Sequence, residues 1–478
     1  MDKNTVVGTK TDFDLIVIGA GSGGLNIAAF INRIGLTVLL IDKHDQTIGG
    51  DCLNFGCVPS KALLHVAREV AAARRATAFG VSVTGSVLWE RVREYVAGVQ
   101  AVIREHENAV WFRSLGMTVA LGEAVFVGKN QVQVAGTVYT GKRIVLATGS
   151  RPRTLSVPGV EQVAGLHTNE TIFTMPTLPQ KLLILGGGPI GIEMAQAFTR
   201  LGSQVSVADP SAQILGKEDA DMAMVVRERL ASEGIDFRLG HTLVRFSAPD
   251  TAVFTATNNA EVTYTFDAVL VAVGRIPNTE NLGLTAAGIA TDERGRLVVD
   301  EYLRTTNRRV LACGDVAGSF QFTHAAEMHA ATIIRNFFSP FPQPFTGDGI
   351  SWVTFTDPEL ATFGQSEAQL RAAGIRYEVL VTDFRHDDRA ITDDYRHGRQ
   401  KLFIDAAGKI FGGTMVAPQA GELVQELILA QMQGLTLAQL FAKTYAYPIA
   451  TRINKRSAAT FMARKLTPWR ARLLRFLF

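Results

Sequence analysis

Two cysteines, Cys52 and Cys57, stand with four residues between them in the stretch Gly49-Gly-Asp-Cys-Leu-Asn-Phe-Gly-Cys-Val-Pro-Ser-Lys61. Thiols at this spacing, among glycines and a proline, suit a redox pair that opens and closes beside an electron carrier. They suit a structural bridge poorly, because closing so short a loop removes little chain entropy. Zinc is excluded by the lack of a second Cys or His pair at ligand spacing. The only other cysteine, Cys313, lies in Val-Leu-Ala-Cys-Gly-Asp and reads as a small residue at the end of a buried strand.

The elements that must position such a pair appear twice. Residues 13–18, Phe-Asp-Leu-Ile-Val-Ile, read as a buried strand. Gly19, Gly21 and Gly24 follow as G-x-G-x-x-G, then a helix to about Arg33 and a strand, 37–41, ending at Asp42. The same grammar returns at Lys181-Leu-Leu-Ile-Leu, with Gly186, Gly188 and Gly191, a helix to Arg200, and a strand, 204–208, ending at Asp209. One such motif is weak evidence. Two complete copies imply a protein that binds two dinucleotides. The glycines let backbone approach a pyrophosphate, and the helix N-terminus offers free N–H groups and the positive end of its dipole. Asp42 and Asp209 are the candidate acceptors for ribose hydroxyls. Asp209 repels a 2′-phosphate and no arginine follows it closely, which favours NADH over NADPH.

The 478 residues, 47% hydrophobic, are enough for two or three domains with their own cores. Three cysteines do not make a disulfide scaffold. Met1–Asp14 lacks the apolar core of a signal peptide, and no apolar run is long enough to span a bilayer, so a cytoplasmic protein is expected. A net charge of +3 gives no indication of nucleic acid binding. The proline-rich stretch from Ser339 to Phe345 reads as a domain boundary. Beyond it, strands at 350–355, 400–404 and 409–415 and a helix from about Gly421 to Gln433 suggest an α+β domain.

The chain resembles the flavoprotein disulfide reductases, the pyridine nucleotide-disulfide oxidoreductase family, which includes dihydrolipoamide dehydrogenase, glutathione reductase and mercuric reductase. The resemblance runs from Asp14 to about Ser457. It rests on the glycine turns, the cysteine motif, Ala147-Thr-Gly-Ser, Gly186-Gly-Gly-Pro-Ile-Gly-Ile-Glu, Gly274-Arg-Ile-Pro-Asn, Cys313-Gly-Asp-Val-Ala, Thr356-Asp-Pro-Glu and Ala420-Gly-Glu-Leu, in that order. It implies an α/β fold: a discontinuous FAD domain (1–150 and 275–345), an NAD(H) domain (151–274), and a dimerisation domain (346–478) that completes the partner subunit's site in a homodimer. It further implies Cys57 as the thiolate beside the flavin and Cys52 as the outer thiol. Lys61 pairs with Glu193 near the flavin ring, and Asp315 holds the ribityl chain. Lys43, Gly50, Ala124, Thr148, Gly149, Gly274, Arg275 and Ala325 are further expected cofactor contacts. No metal site is expected.

The chain also departs from the family pattern. Disulfide reductases of thiol substrates carry a histidine before a proline, with a downstream glutamate, as the acid/base pair. Here Tyr447 precedes Pro448, and Arg452 takes the place of the acid. A tyrosine with pKa about 10 is a poor base at neutral pH. His324, in Phe322-Thr-His-Ala, is a weak substitute. Tyr447, Asp51 and Val416-Ala-Pro lean toward mercuric reductases, but the additional cysteine pairs expected for mercury delivery are missing. The expected activity is therefore a mercuric-reductase-like oxidoreductase acting on a metal ion or small molecule. The alternatives are a dihydrolipoamide-dehydrogenase-like activity, direct electron transfer from reduced flavin, and a redox-sensing or membrane-tethered flavoprotein with little turnover. Pro189 stands where several relatives have a tyrosine lid. Finally, residues 452–478 hold eight Lys or Arg and no acid. Thr467-Pro468 can start a helix with Trp469, Leu473 and Leu477 on one face and Phe476 nearby, so residues 466–478 either contact an anionic membrane surface or pack on the dimer.

Overall fold

The computed structural model describes residues 11–318 and 320–478. Most of the polar segment Met1–Asp14 lies outside them. The fold is α/β, with two units built around parallel strands, the first sheet extended by an antiparallel edge over residues 124–146, followed by an antiparallel unit.

The first unit opens with β1 (Thr11–Ile18), α1 (Ser22–Arg33) and β2 (Val38–Asp42). The strand Leu15-Ile-Val-Ile18 is continuously apolar because both its faces are covered, as a parallel sheet requires. Leu15 and Val17 pack with Ile27 and Ile31 of α1, while Ile16 and Ile18 pack on the other side with Phe126 and Val132. The chain continues through α2 (Gly50–Asn54), α3 (Cys57–Arg75), α4 (Trp89–Arg104), α5 (Ala109–Ser114), β3 (Thr118–Leu121), β4 (Ala124–Gly128), β5 (Gln131–Val134) and β6 (Thr137–Leu146). The sheet order is β3–β2–β1–β6–β5–β4, with Val310–Ala312 parallel to β6. The glycine turn therefore leaves the carboxyl end of a strand flanked by β2 on one side and the returning β6 on the other. Ligands of open α/β sheets bind at such a switch point.

In the second unit β7 (Ser150–Pro152) pairs with Arg275–Pro277. It is followed by β8 (Leu166–His167), β9 (Lys181–Leu185), α6 (Pro189–Leu201), β10 (Gln204–Asp209) and β11 (Asp236–Leu239). These strands and Ala268–Val271 form a parallel sheet ordered β11–β10–β9–(268–271)–β8. The two units are joined where α3 packs on α6: Leu63 and Ala67 share a core with Ile192, Ala195 and Phe198. That contact places the dithiol helix against the second unit.

The third unit is a five-stranded antiparallel sheet in the order 351–354, 359–364, 410–417, 399–404, 378–383. The helix expected from about Gly421 to Gln433 is two helices, Ala420–Leu423 and Gln425–Met432, separated at Val424. Among the described residues no helix is long and apolar enough to cross a membrane.

Candidate active site

The dithiol loop is shaped by two glycines in left-handed backbone, Gly49 at φ 90° and Gly50 at φ 62°. A Cβ on Gly50 would fall 2.6 Å from the Cα of Gly21, so the loop docks backbone to backbone on the first glycine turn. Asn54 braces the loop from inside by donating to the carbonyls of Ile48 and Gly50. Cys57 is the first residue of the 19-residue α3, where the helix dipole and free N–H groups favour a thiolate.

Cys52 and Cys57 are not bridged and lie close enough for each to act on the other's acidity. The neighbouring Cys52 thiol is the largest influence lowering the Cys57 pKa, to about 6. Thr323 and the cation of Lys61 reinforce it, and desolvation opposes it. The Thr323 hydroxyl lies 3.4 Å from the Cys57 sulfur. The same pairing, with burial, pushes Cys52 far above the usual thiol range. The pair's negative charge therefore rests on Cys57, and Cys52 keeps its proton.

Lys61 lies one helical turn beyond Cys57. Its Nζ donates to Oε2 of Glu193 at 2.8 Å and sits 4.5 Å from the ring centre of Phe355. Glu193, largely buried on α6, also accepts from the amide of Phe355 at 2.9 Å through Oε1. A buried carboxylate needs such compensation on both oxygens. Its effect is to hold one cation at the dithiol end of α3.

A second polar cluster lies on the other side of the loop. Arg275 donates to the Ser150 hydroxyl at 2.7 Å and the Ser150 carbonyl at 2.9 Å, pairs with Asp51 at 3.0 Å, and reaches Asp315 at 3.9 Å. Ser150 donates to Asp315. Burial raises the Asp315 pKa against the lowering pull of Ser150 and Arg275. Asn169 donates to Asp51 at 3.2 Å and to the Phe55 carbonyl at 3.1 Å. Thr148 and Asn278 exchange hydrogen bonds, tying Ala147-Thr-Gly-Ser to Gly274-Arg-Ile-Pro-Asn.

The structure thus brings together Cys52, Cys57, Lys61 and Glu193, and gathers Asp51, Arg275 and Asp315 beside them. Ala124 and Ala325 are buried at the starts of β4 and of the helix Thr323–Phe338. Lys43 is exposed, 3.5 Å from Glu123. His324 is stacked on Phe322, ring centres 5.3 Å apart. Tyr447 is exposed, with the Arg452 guanidinium 5.2 Å from its ring centre. Among the described residues no hydrogen bond or ring contact joins Tyr447 to the thiols. Cys313 is buried, as read, with its thiol pushed up to about 12 by desolvation. Thr323 and Asn169 escaped the sequence reading. Thr323 stands next to His324 in a motif that was singled out, but a threonine at a helix start carries no mark of its own.

The two glycine turns separate what the protein needs from what a ligand needs. At the first and third glycines a Cβ would collide with backbone: 2.3 Å from the Ala147 oxygen at Gly19, 2.1 Å from the Gly19 oxygen at Gly24, 2.4 Å from the Ala272 oxygen at Gly186, and 2.0 Å from the Gly186 oxygen at Gly191. At Gly188 a Cβ would meet nothing within 4 Å, and at Gly21 only the Cα of Gly50, at 3.6 Å. The glycine N-caps of α1 and α6 place no side chain on the first-turn N–H groups. Those groups and the bare second glycines fit a pyrophosphate at each helix. Asp42 accepts from the amides of Ala20 and Lys43 and from Thr47; Asp209 accepts from the amides of Gly187 and Ser211. Each acid therefore braces its own glycine turn, a role not anticipated from sequence, and retains acceptor capacity for a ribose.

A dithiol set between two dinucleotide-type folds defines a nicotinamide-dependent oxidoreductase with a redox-active cysteine pair. Residues 13–330 match the pyridine nucleotide-disulphide oxidoreductases and residues 350–457 match the dimerisation domain of the same family, and the chain belongs to that family. It is 33% identical over 453 residues to a dihydrolipoyl dehydrogenase of Chlamydia muridarum, covering 93% of this chain and 96% of that one. It is 30% identical over 454 residues to a mercuric reductase of Staphylococcus aureus, covering 94% and 82%. Among solved structures, the Cu(II) complex of the HOCl-induced flavoprotein disulfide reductase RclA from Escherichia coli superposes with a TM-score of 0.83 at 25% identity, over 94% of this chain and 99% of that one. The protein is accordingly an NAD(P)H-dependent, FAD-containing oxidoreductase.

Proposed function

We propose that this enzyme draws electrons from NADH in preference to NADPH and delivers them through Cys52 and Cys57 to a metal ion or other small acceptor. In this reading it works as a homodimer in the cytoplasm. The observation that carries the choice of acceptor is Tyr447, exposed beneath Arg452 where thiol-substrate relatives place a histidine and its carboxylate. Without that pair, a departing substrate thiolate lacks the general acid that would protonate it, a contribution typically worth about 10²–10⁴ in rate. A metal ion accepts electrons without such proton traffic. Among the described residues no three His, Cys, Asp or Glu side chains are grouped to hold a metal; in this reading the metal ion is a substrate.

Bound FAD supplies the two-electron relay between nicotinamide and disulfide. The turn Gly19–Gly24, Asp42, Asp315 and Arg275 would hold it, and Gly186–Gly191 with Asp209 would hold the nicotinamide dinucleotide. Two electrons and one proton convert the Cys52–Cys57 disulfide into a thiol on Cys52 and a thiolate on Cys57. Lys61, fixed by Glu193, stabilises the anionic charge. Cys52, protonated and half-buried, is the sulfur that meets the acceptor.

A dihydrolipoyl-dehydrogenase-like activity is the second reading, favoured by the relatives of that name. An anaerobic titration with NADH, followed by challenge with Cu(II), Hg(II), quinones, glutathione disulfide and lipoamide, distinguishes the two. The reduced enzyme should show the long-wavelength absorbance of a thiolate against a flavin. Cys57→Ser should abolish it, and Cys52→Ser should show it without reductant. Metal-ion turnover should be lost in both variants. Robust lipoamide turnover by the wild type would instead establish the second reading.

A further inference from the structure

The segment beyond the dimerisation domain takes no part in the chemistry described above. The family match ends at residue 457, and the helix Pro468–Leu477 follows it. Thr467 caps this helix by accepting from the Arg470 amide, and Pro468 occupies its first turn. None of its residues is buried. A ten-residue helix that packs on nothing is marginal in water, because helices below about 12–15 residues gain their stability from a packed face.

That face exists and is bare. At helical spacing Trp469, Leu473, Phe476 and Leu477 share one side, and Trp469 and Leu477 are 69% and 71% exposed. Arg475 lies on the opposite side, and Arg470 and Arg472 border the apolar strip on either flank. Arg464 and Lys465 precede the helix. Among the described residues none of these five cations lies within ion-pair distance of a carboxylate. Four of them donate to backbone carbonyls, Arg464 to Val379, Lys465 to Ala406, Arg470 to Lys465 and Arg475 to Ala471, and Lys465 also lies 4.5 Å from the ring centre of Phe461.

We propose that this helix is a peripheral membrane anchor that lies in the surface of an anionic bilayer, with the strip from Trp469 to Leu477 in the headgroup boundary and the arginines on lipid phosphates. Charge complementarity selects this occupant. An anionic surface satisfies five unpaired cations and the apolar strip together, whereas the same helix of a second copy would bring like charges face to face. The anchor would hold the oxidoreductase beside membrane-borne redox partners without a spanning helix.

The test uses the full-length flavoprotein in co-sedimentation with phosphatidylcholine vesicles made with and without phosphatidylglycerol. Binding should require phosphatidylglycerol and should be lost in about 1 M salt, where the screening length falls to about 3 Å. Replacing Arg470, Arg472 and Arg475 together with Gln should weaken binding by about 10–100-fold. Trp469→Ser with Leu473→Ser should also remove it, while flavin content, dimer mass and NADH-dependent turnover in solution stay unchanged. Trp469 fluorescence, obtained by difference from Trp469→Phe, should shift to shorter wavelength on vesicles. Failure to bind phosphatidylglycerol vesicles, or equal binding to both kinds, overturns the proposal. So does loss of the dimer in the Trp469→Ser/Leu473→Ser variant, because the strip would then be a subunit contact.

Discussion

The two dinucleotide-type units follow one plan, and their differences assign them different tasks. In both, a strand at a switch point ends in a glycine turn, and an aspartate 22 residues on accepts the turn's second amide at 2.7 Å. In the first unit the turn is covered: Gly50 lies against Gly21, and the helix that begins at Cys57 stands over the site. In the second the corresponding glycine, Gly188, faces open space. The second unit holds no cysteine. Glu193, farther along α6, reaches across to Lys61. A covered turn suits a dinucleotide that stays, and an open turn suits one that comes and goes. On the proposed reading the first unit retains FAD and the second exchanges the nicotinamide. The link between them is the α3–α6 contact, which sets the helix that begins at Cys57 and carries Lys61 against the second unit.

The largest effect that would break this comparison lies within a single turn. Gly191→Ala forces a Cβ to 2.0 Å from the Gly186 oxygen and should destabilise the fold by about 1–3 kcal/mol, as overpacking does. Gly188→Ala meets nothing in the protein, so its stability should stay within about 0.5 kcal/mol of wild type. Its KM for NADH should nevertheless rise, and its flavin content should not change. Thermal unfolding and steady-state kinetics on the two variants measure both quantities. If Gly188→Ala lost flavin instead, the assignment of the units would be reversed.

Asp209 offers an intermediate effect. Its carboxylate is held by the amides of Gly187 and Ser211, so it is fixed in place before a ribose arrives. Asp209→Asn keeps the shape and removes the charge that repels a 2′-phosphate. The kcat/KM ratio of NADH to NADPH should fall by about tenfold, since loss of one hydrogen bond to a charged group is worth about 1.5–3 kcal/mol and the turn retains its other contacts. A wild type reduced faster by NADPH than by NADH would show that the ribose end is read differently.

Much of this was legible in the chain because the relevant signals are local. The glycine turns, the terminal aspartates and the strands 181–185 and 204–209 follow from spacing within some two dozen residues. The strand 359–364 escaped because it is central and almost wholly buried, so Glu-Leu-Ala-Thr-Phe-Gly shows no alternation. The site's longer connections were legible only through family resemblance or not at all. Lys61 and Glu193 are 132 residues apart, and the resemblance alone paired them. Asp51 and Arg275 were each noticed, but nothing in their types predicted the ion pair. Thr323 lies 266 residues from Cys57 and became visible only when the fold brought its hydroxyl to the sulfur.

Thr323 supplies the smallest and most discriminating effect. The Cys57 pKa is lowered to about 6, first by Cys52 and then by Thr323 and Lys61. A thiol whose pKa is depressed in the folded state is anionic above that value and becomes protonated as pH falls through it. The long-wavelength absorbance of the reduced enzyme should therefore be constant above neutrality and disappear with a midpoint near 6. By linkage, the stability that the thiolate lends the reduced protein should be fully present above the ordinary thiol pKa of about 9 and be lost as pH falls from there through about 6. Thr323→Val removes one hydrogen bond and preserves shape, so the midpoint should move upward while flavin content stays constant. Thr323→Ser should restore it, because only the hydroxyl matters. Lys61→Met should also raise the midpoint, acting through charge rather than through a hydrogen bond, and its effect should shrink in high salt where that of Thr323→Val does not. A midpoint indifferent to Thr323 would mean that the helix N-terminus and Cys52 alone hold the thiolate. The contact between the first unit and the helix Thr323–Phe338 would then be packing and nothing more.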